Sequence, residues 1–348
     1  MAENITKRRP TVVDVAKRAN VSQGTVSRYL NGLPVRAGNR ERVAAAIEEM
    51  NYTRNAIATA MRATSRKMIG LLVPDIDGFH ARLLGALTVS LSKDGIGTLT
   101  MCHEVDACSI KEAIAYFQVH RVDAIVISGS DDCAEELMAL EKHGVRIITY
   151  DSLPAQKSFN SVTVDNRAIS QKAVKHLLDL GHRDIGILCG DLKDWTAQER
   201  LKGWHDAFIQ AGLTPPQELI CRSDWTKEGG ELAFRTLCET VRVPTAMYVS
   251  NYTMTTGLLN HCNAAGIHIP QDLSLVSFDD VELFEFTTPP LSGVAQPVNE
   301  IATAIKQILT NQVYQRSDNE TEHIVLPCSL NFRGSTAPPK PGRSGRPT

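Results

Sequence analysis

The sequence lacks several features that define common catalytic, secreted and membrane-bound classes. Its eight cysteines are scattered without a C-x-x-C pair, which excludes a paired-cysteine zinc site and favours reduced thiols in a cytoplasmic protein. It contains no GxxxxGK, HExxH or GxSxG motif, so we expect no enzyme, no cofactor and no catalytic metal. No window approaches the ~20 apolar residues of a membrane helix, and no apolar run follows the first basic residues as in a secretory signal.

The formal net charge of -2 conceals an uneven distribution of charge along the chain. Residues 1–66 contain 12 Lys and Arg against 5 Asp and Glu, whereas the remaining residues contain 25 against 34. A basic amino-terminal segment attached to an acidic body is typical of a phosphate-binding head on a globular carrier. An unevenly charged surface without a partner is the alternative.

Residues 12–31, VVDVAKRANVSQGTVSRYLN, are typical of two short helices joined by a tight turn. Asn20 tolerates the left-handed backbone that such a turn needs, and Ser22 is placed to cap the second helix. The residues that this second helix turns outward are Gln23, Gly24, Ser27 and Arg28. On spacing alone, a DNA-binding helix-turn-helix and an ordinary helical hairpin with a solvated face are equal alternatives.

The remaining chain divides into a connector, two α/β sets and a tail. We expect a flexible basic arm over residues 1–10, a helical domain over 11–53, and over 54–66 a hinge helix and linker that folds only when a partner packs on it. A plain linker is the alternative for this segment. From residue 67, apolar runs alternate with helical stretches, which predicts two parallel-sheet subdomains facing each other across a cleft. We place the first at 67–164 and 295–326, the second at 165–294 and 327–334, and a disordered tail at 335–348.

Taken together, these features resemble those of the lactose-repressor/galactose-repressor (LacI/GalR) family of bacterial transcription regulators. The segments that carry the resemblance occur in family order along nearly the whole chain: VVDVAKRANVSQGTVSRYLNG, NYTRNAIATAMR, VTVDN, LGHRDIGIL, QERLKGW, VSNYTMTTGLL, SLVSFDD and TPPLSGVAQP. The resemblance implies an all-α helix-turn-helix headpiece and a hinge helix, followed by an α/β core of two parallel-sheet subdomains like that of periplasmic sugar-binding proteins.

The resemblance also implies which residues contact double-stranded DNA at a pseudo-palindromic operator. Gln23, Gly24 and Arg28 fall at base-facing positions, and Gly24 departs from the pattern because it has no side chain with which to read a base. The expected phosphate contacts are Ser22, Thr25, Ser27 and Asn31. In the hinge, Asn55 and Ala58 match the minor-groove segment. Met61 stands where members usually insert a leucine between base pairs, and packing between two hinge helices is its alternative role.

A second set of residues is implied to bind a small effector between the subdomains. Arg200 matches the arginine that members use against ligand hydroxyls or carboxylates, and Asp279 matches a carboxylate that accepts sugar hydroxyls. Asn251 and Trp225 match a polar and a stacking position, with core packing as the alternative for Trp225. From the first subdomain, Asp75 and Phe79 face the cleft, although Asp77-Gly78-Phe79 replaces the family's Asn-Pro-Phe run. We expect His182 to be structural.

The favoured hypothesis is a cytoplasmic repressor, a homodimer without membrane contact, whose operator affinity depends on a sugar-like effector. A solute-binding protein for sugars without a gene-regulatory role is the alternative, and an enzyme is a third class. The effector is left open among a sugar, a sugar acid, a sugar phosphate and a nucleoside, and so is its action as inducer or corepressor. The resemblance implies a homodimer. One headpiece binds a half-site weakly, and two linked headpieces on two half-sites bind DNA with much higher affinity.

Overall fold

The structure is a computed structural model of the 348-residue chain. It describes residues 10–52, 67–76, 78–103, 107–129, 133–153, 159–241, 243–315 and 320–341. The chain divides into two compact units, Met1–Arg66 and Lys67–Thr348. We call the first the headpiece and the second the core.

The headpiece contains three helices, α1 (Val12–Ala19), α2 (Gln23–Leu30) and α3 (Ala37–Glu49). Thr11 and Asp14 form a capping box at the start of α1, in which the backbone N–H of Thr11 donates to Oδ2 of Asp14 at 2.8 Å. Asn20 ends α1 with a φ of 51°, and the Oγ of Ser22 accepts from the backbone N–H of Thr25 at 3.2 Å. The predictions for Asn20 and Ser22 are therefore confirmed.

A small apolar cluster holds the three helices together. The helices contribute short side chains at helical spacing, and Tyr52 closes the cluster after α3. Its buried members are Val15, Ala16, Ala19, Val26, Val43, Ala46 and Tyr52. An ion pair between Arg18 and Glu49, with 2.6 Å between Nη2 and Oε2, also joins α1 to α3 at the surface.

Sheet one of the core has six parallel strands in the order β11-β5-β4-β3-β1-β2. Its strands read as nearly continuous apolar runs, as expected for a sheet with helices on both faces. The strands are β1 (Met68–Val73), β2 (Gly97–Cys102), β3 (Ala124–Ser128), β4 (Arg146–Tyr150), β5 (Asn160–Val164) and β11 (His323–Leu326). Its helices are α4 (Gly78–Ser92), α5 (Ala107–His120), α6 (Ala134–Lys142) and α11 (Val298–Ile308), and a π-helix (Leu309–Tyr314) follows α11.

Sheet two has the order β12-β10-β9-β8-β6-β7, with only its β10–β12 pair antiparallel among the described pairings. The strands are β6 (Ile185–Cys189), β7 (Ile220–Arg222), β8 (Ala246–Val249), β9 (Ser274–Phe278), β10 (Ser292–Ala295) and β12 (Ser329–Asn331). Its helices are α7 (Asn166–Asp179), α8 (Trp195–Gln210), α9 (Lys227–Thr240) and α10 (Tyr252–Ala265), and a 3₁₀ turn (Glu282–Glu285) precedes β10. The predicted fold class is confirmed.

The chain passes between the two sheets at three places, and these places form the connection between the subdomains. The crossings follow β5, β10 and β11 in chain order. The two sheets are therefore joined by three chain segments, which is the arrangement of a hinge between subdomains.

The segment that follows β12 is ordered over residues 335–341, where we predicted a disordered tail. Ser335 is fully buried, where its Oγ donates to the carbonyl of Leu275 at 2.6 Å and accepts from the backbone N–H of Ser292 at 2.8 Å. The Nε2 of buried His182 lies 2.8 Å from the carbonyl oxygen of Ala337. The prediction is wrong for residues 335–341, because Pro- and Gly-rich composition does not reveal these specific bonds. Residues 342–348 lie outside the described residues.

Within the part of the chain that the structure describes, every helix is too short or too polar to cross a membrane.

Candidate functional site

The helix α2 presents a row of polar side chains on the surface of the headpiece. Of the ten residues that we predicted to contact DNA, seven lie in or next to α2; six of these are exposed, and Thr25 is half-buried. The exposed ones are Ser22, Gln23, Gly24, Ser27, Arg28 and Asn31. The buried face of α2 contributes Val26 to the apolar cluster, so the exposed row can approach a groove without disturbing the headpiece fold.

Arg28 and Gly24, two of the predicted base-facing residues, differ in their local contacts. The Nε of Arg28 donates to the carbonyl oxygen of Pro34 at 3.3 Å, which orients the guanidinium along the exposed side of α2. A Cβ on Gly24 would have the Oγ of Ser22 as its nearest neighbour, at 3.7 Å, which is ordinary contact. The headpiece fold therefore does not require glycine at this position.

The predicted hinge residues Asn55, Ala58 and Met61 lie outside the described residues, and so do the basic residues at positions 7–9.

In the core, a cavity of about 430 Å³ lies between the two subdomains. All six residues that we predicted to bind the effector line it. They are Asp75 and Phe79 from the first subdomain, and Arg200, Trp225, Asn251 and Asp279 from the second. The volume is within the range of cavities that bind small molecules, and the lining combines aromatic rings with a few charged groups.

Arg200 is held rigidly in the wall of this cavity and is only 2% exposed. Its Nε donates to Oδ1 of Asn166 at 2.8 Å, and its Nη1 donates to the carbonyl oxygen of Ser250. Its Nη2 lies 3.4 Å from Oδ1 of Asp151, which belongs to the other subdomain. The ring of Phe278 covers one face of the guanidinium, with 3.4 Å between the guanidinium carbon and the ring centroid. Arg200 thus joins the two walls of the cavity.

Asp279 follows β9 directly and has a left-handed backbone with a φ of 69°. Its Oδ1 accepts from Nε2 of Gln296 at 2.7 Å, and its Oδ2 accepts from the backbone N–H of Tyr252 at 3.3 Å. Gln296 lies at the second crossing between the sheets, and its Oε1 is a buried acceptor without a hydrogen-bond donor among the described residues. A carboxylate and a carboxamide oxygen therefore stand side by side in the wall.

The next residue, Asp280, explains how this left-handed turn is held. Its carboxylate receives two hydrogen bonds from the guanidinium of Arg333, at 2.7 and 2.9 Å, and a third from Nδ2 of Asn331 at 2.6 Å. Asp280 thereby connects the end of β9 with β12 and the segment that follows it. Arg333 positions Asp279 through this contact.

Trp225 also has a left-handed backbone, with a φ of 70°, and its ring is fixed from two sides. Its Nε1 donates to Oδ2 of Asp194 at 2.6 Å. Gly190 lies against the other side of the ring, where an added Cβ would come within 2.0 Å of the indole Cε2. The half-buried indole is therefore a preformed apolar wall of the cavity, as a stacking platform requires.

Asn251 lines the cavity but is largely engaged as a helix cap. Its Oδ1 accepts from the backbone N–H of Met254 at 2.8 Å at the start of α10. Its Nδ2 donates to the carbonyl oxygen of Trp225 at 3.2 Å, which ties the cap to the turn that carries the indole. Asn251 therefore arranges the wall even apart from any contact with a ligand.

The first subdomain contributes an aromatic wall and two histidines. Phe79 is 6% exposed, and its ring centroid lies 6.5 Å from that of Tyr150. The Nδ1 of His80 lies 3.4 Å from Oδ1 of Asp75. The Nε2 of buried His103 lies 3.1 Å from the carbonyl oxygen of Ser128. Burial lowers the pKa of His103, so its imidazole is neutral at neutral pH.

Sequence reasoning missed several lining residues, among them Asp151, Asp194, Gln296 and His103. The signal for Asp151 and His103 is their position immediately after β4 and β2, since the carboxyl ends of parallel strands meet at one edge. Asp194 and Gln296 carry no comparable signal, because they belong to a loop and to a crossing. His182 is buried and bonds to the hydroxyl of Thr245 at 2.9 Å, as its structural prediction requires.

The geometry defines a class: a two-subdomain ligand-binding core joined in one chain to a helix-turn-helix headpiece. Comparison with known proteins agrees. Residues 11–55 match the family described as bacterial regulatory proteins, lacI family, and residues 174–336 match the periplasmic binding protein-like domain. The chain is 32% identical over 346 residues to an uncharacterized HTH-type transcriptional regulator in the aml 5' region of Streptomyces limosus, covering 96% of each chain.

Two solved structures show the same arrangement. The lac repressor dimer bound to operator and the anti-inducer ONPF is 27% identical, with a TM-score of 0.84, over 95% of this chain and 100% of that one. The transcriptional regulator CelR in complex with cellobiose is 26% identical, with a TM-score of 0.71, over 94% of this chain and 100% of that one. The chain belongs to the lacI family of bacterial regulatory proteins. It is a DNA-binding transcription regulator, and the alternative of a solute-binding protein without a regulatory role is not supported.

Proposed function

We propose that this protein is a cytoplasmic homodimeric repressor whose operator affinity is set by a sugar-like effector bound in the cavity between the core subdomains. The observation that carries the proposal is the convergence of all six predicted effector residues on that cavity. Related regulators bind comparable compounds, since one solved relative contains cellobiose. The cavity is proposed to bind its ligand without catalysing a reaction.

The wall chemistry suits a polyhydroxylated compound. The Asp279 carboxylate and the buried Oε1 of Gln296 are acceptors for hydroxyl groups. The indole of Trp225 and the ring of Phe79 supply apolar surface for the C–H faces of a sugar ring. Fixed donors and acceptors on a rigid frame bind such a compound with little loss of conformational entropy.

The headpiece is proposed to read DNA through Gln23 and Arg28. Glutamine can bond adenine and arginine can bond guanine through paired hydrogen bonds, whereas Gly24 offers no polar group. Ser22, Thr25, Ser27 and Asn31 are proposed to contact phosphates and to set the register. Asn55 and Ala58 are proposed for the minor groove, and Met61 for insertion between base pairs. Two headpieces of a dimer would then occupy the halves of a pseudo-palindrome.

Regulation is proposed to act through the relative position of the core subdomains. Arg200 and Asp151 contact each other across the cavity, so a ligand that binds beside this pair and touches both walls changes the free energy of closure. The coupling is reciprocal. If the effector changes the affinity for the operator by a given factor, the operator changes the affinity for the effector by the same factor.

The test uses the full-length protein. Duplexes selected by it from a random pool should contain an inverted repeat, and titration of that duplex should show an affinity change of at least about fivefold with one member of a sugar panel. A protein that binds every duplex equally at moderate salt, with and without each sugar, would contradict the proposal.

A further inference from the structure

The cavity between the subdomains has an excess of negative charge. Among the described residues that line it, six carry carboxylates and three carry cationic groups. The carboxylates belong to Asp75, Asp151, Asp194, Asp224, Glu228 and Asp279, and the cationic groups to Lys193, Arg200 and Lys227. The Thr226 hydroxyl, which donates to Asp224 at 2.6 Å, lowers the pKa of that carboxyl group and keeps it charged at neutral pH. A ligand with a negative charge enters an unfavourable field.

The one cation that is buried in the cavity wall, among the described residues, is already neutralised. Arg200 is 2% exposed and directs a donor at Asp151, whose side chain is 20% exposed. Its other two nitrogens donate to Asn166 and to the carbonyl oxygen of Ser250. A carboxylate or phosphate of a ligand would have to displace Asp151 to form a forked pair with this guanidinium. Displacement would leave Asp151 beside the incoming anion, which is a repulsive arrangement.

The other two cations do not replace Arg200 in this role. Lys193 lies in a loop and Lys227 at the start of a helix, and both are exposed. Both neighbour carboxylates in the sequence, at Asp194 and Glu228, and both of these also line the cavity. Exposed ammonium groups next to carboxylates give little net attraction for an anion in water.

From these contacts we infer that the cavity takes an uncharged polyhydroxylated effector and excludes its acid and phosphate counterparts, and that Asp151 is the residue that determines this selection. The inference rests on the proposed function and narrows the class of effector. Recognition of hydroxyl groups alone would not distinguish a sugar from a sugar acid or a sugar phosphate. Asp151 acts through Arg200 by occupying the guanidinium edge that an anion needs.

The experiment compares matched compounds on the full-length protein by isothermal titration calorimetry. Glucose, galactose and ribose are each paired with an acid (glucuronate, galacturonate, ribonate) and a phosphate ester, and cellobiose and maltose with their aldonic acids. We expect a neutral member to bind and its anionic counterparts to bind at least about tenfold more weakly. An anionic member that binds as tightly as its neutral partner would overturn the inference. Absence of binding by every compound would instead contradict the proposed function, and the inference with it.

Asp151→Asn tests the selecting residue itself. The variant should reduce the ratio of anionic to neutral dissociation constants by at least about fivefold, because Arg200 gains a free charge without a change in side-chain size. If Asp151 has a purely structural role, the variant should bind both compounds more weakly by the same factor. An unchanged ratio would overturn the assignment. Asp179→Asn is the matched control, since it removes one charge from an exposed pair with Lys175 away from the cavity. If Asp151→Asn does not fold, the comparison in the unaltered protein still decides the selectivity.

Discussion

Both terminal nitrogens of Arg333 donate to the carboxylate of Asp280, at 2.7 and 2.9 Å, and so connect the segment after β12 to the turn that carries Asp279. The two side chains are 17% and 7% exposed, so this pair is largely removed from water. Its location beside Asp279 means that a contact some fifty residues away in sequence shapes the effector site. The same guanidinium also donates to the carbonyl oxygen of Leu291.

Arg333→Ala should destabilise the core by about 3–5 kcal/mol, because the Asp280 carboxylate is left buried without its cation. Urea unfolding followed by circular dichroism measures the change. Lys340→Ala breaks the more exposed pair with Asp272 and should cost less than about 1 kcal/mol. Equal losses for the two variants would contradict the importance of the forked pair.

Gly190→Ala should weaken effector binding by at least about tenfold, because the added methyl group would come within 2.0 Å of the Trp225 ring and force the platform to move. Calorimetry with the neutral sugar that binds the unaltered protein measures the loss, and Trp fluorescence reports the displaced ring. Gly85→Ala, in the exposed face of α4 with no neighbour within 4 Å among the described residues, should bind normally. Normal binding by Gly190→Ala would remove Trp225 from the site.

Acid should destabilise the core through its buried histidines. Burial lowers the pKa of His182 in the folded protein below its ordinary value of 6.5, so below about pH 6.5 the unfolded chain binds a proton that the folded chain does not. The free energy of unfolding should therefore fall as the pH falls from 7.5 to 5.5, by up to about 1.4 kcal/mol per pH unit for one such group. His182→Gln should reduce this slope, whereas replacement of exposed His143 by Gln should not. Identical slopes would contradict the role of His182.

Arg28→Ala should lose the preference between operator variants, because base discrimination of about 1–3 kcal/mol rests on a paired hydrogen bond. Arg28 is exposed, and its bond to the carbonyl oxygen of Pro34 leaves both terminal nitrogens available to a base. Ser27→Ala, which removes a predicted phosphate contact, should weaken binding to all variants alike. Anisotropy titrations with single-base operator variants distinguish the two patterns. Uniform losses for Arg28→Ala would count against base reading.

The fold and much of the cavity could be predicted from the sequence because their signals are local. The strands are continuous apolar runs, the turn at Asn20 needs a left-handed residue, and strand ends converge at one edge of a sheet. The contact of Asp151 with Arg200 could not be predicted, because several acidic residues follow strands and only the folded structure shows which one meets the guanidinium. The order of residues 335–341 depends on hydroxyl and imidazole partners, such as His182, that composition cannot indicate. Asn251 was placed correctly at the cavity, but its bonds to the start of α10 emerge only from the structure.

If the cavity controls the headpiece, Asp279→Asn should separate operator binding from its response to the sugar. The substitution keeps the size of the side chain but removes the charge that accepts hydroxyl groups, while α2 is unchanged. Operator affinity of the full-length protein should be measured by anisotropy with increasing concentrations of the neutral sugar identified by calorimetry. Without sugar, Asp279→Asn should bind the operator like the unaltered protein. The sugar concentration that half-changes this affinity should be at least about tenfold higher for the variant. An unchanged sugar response in this variant would show that Asp279 does not take part in control of the headpiece by the cavity.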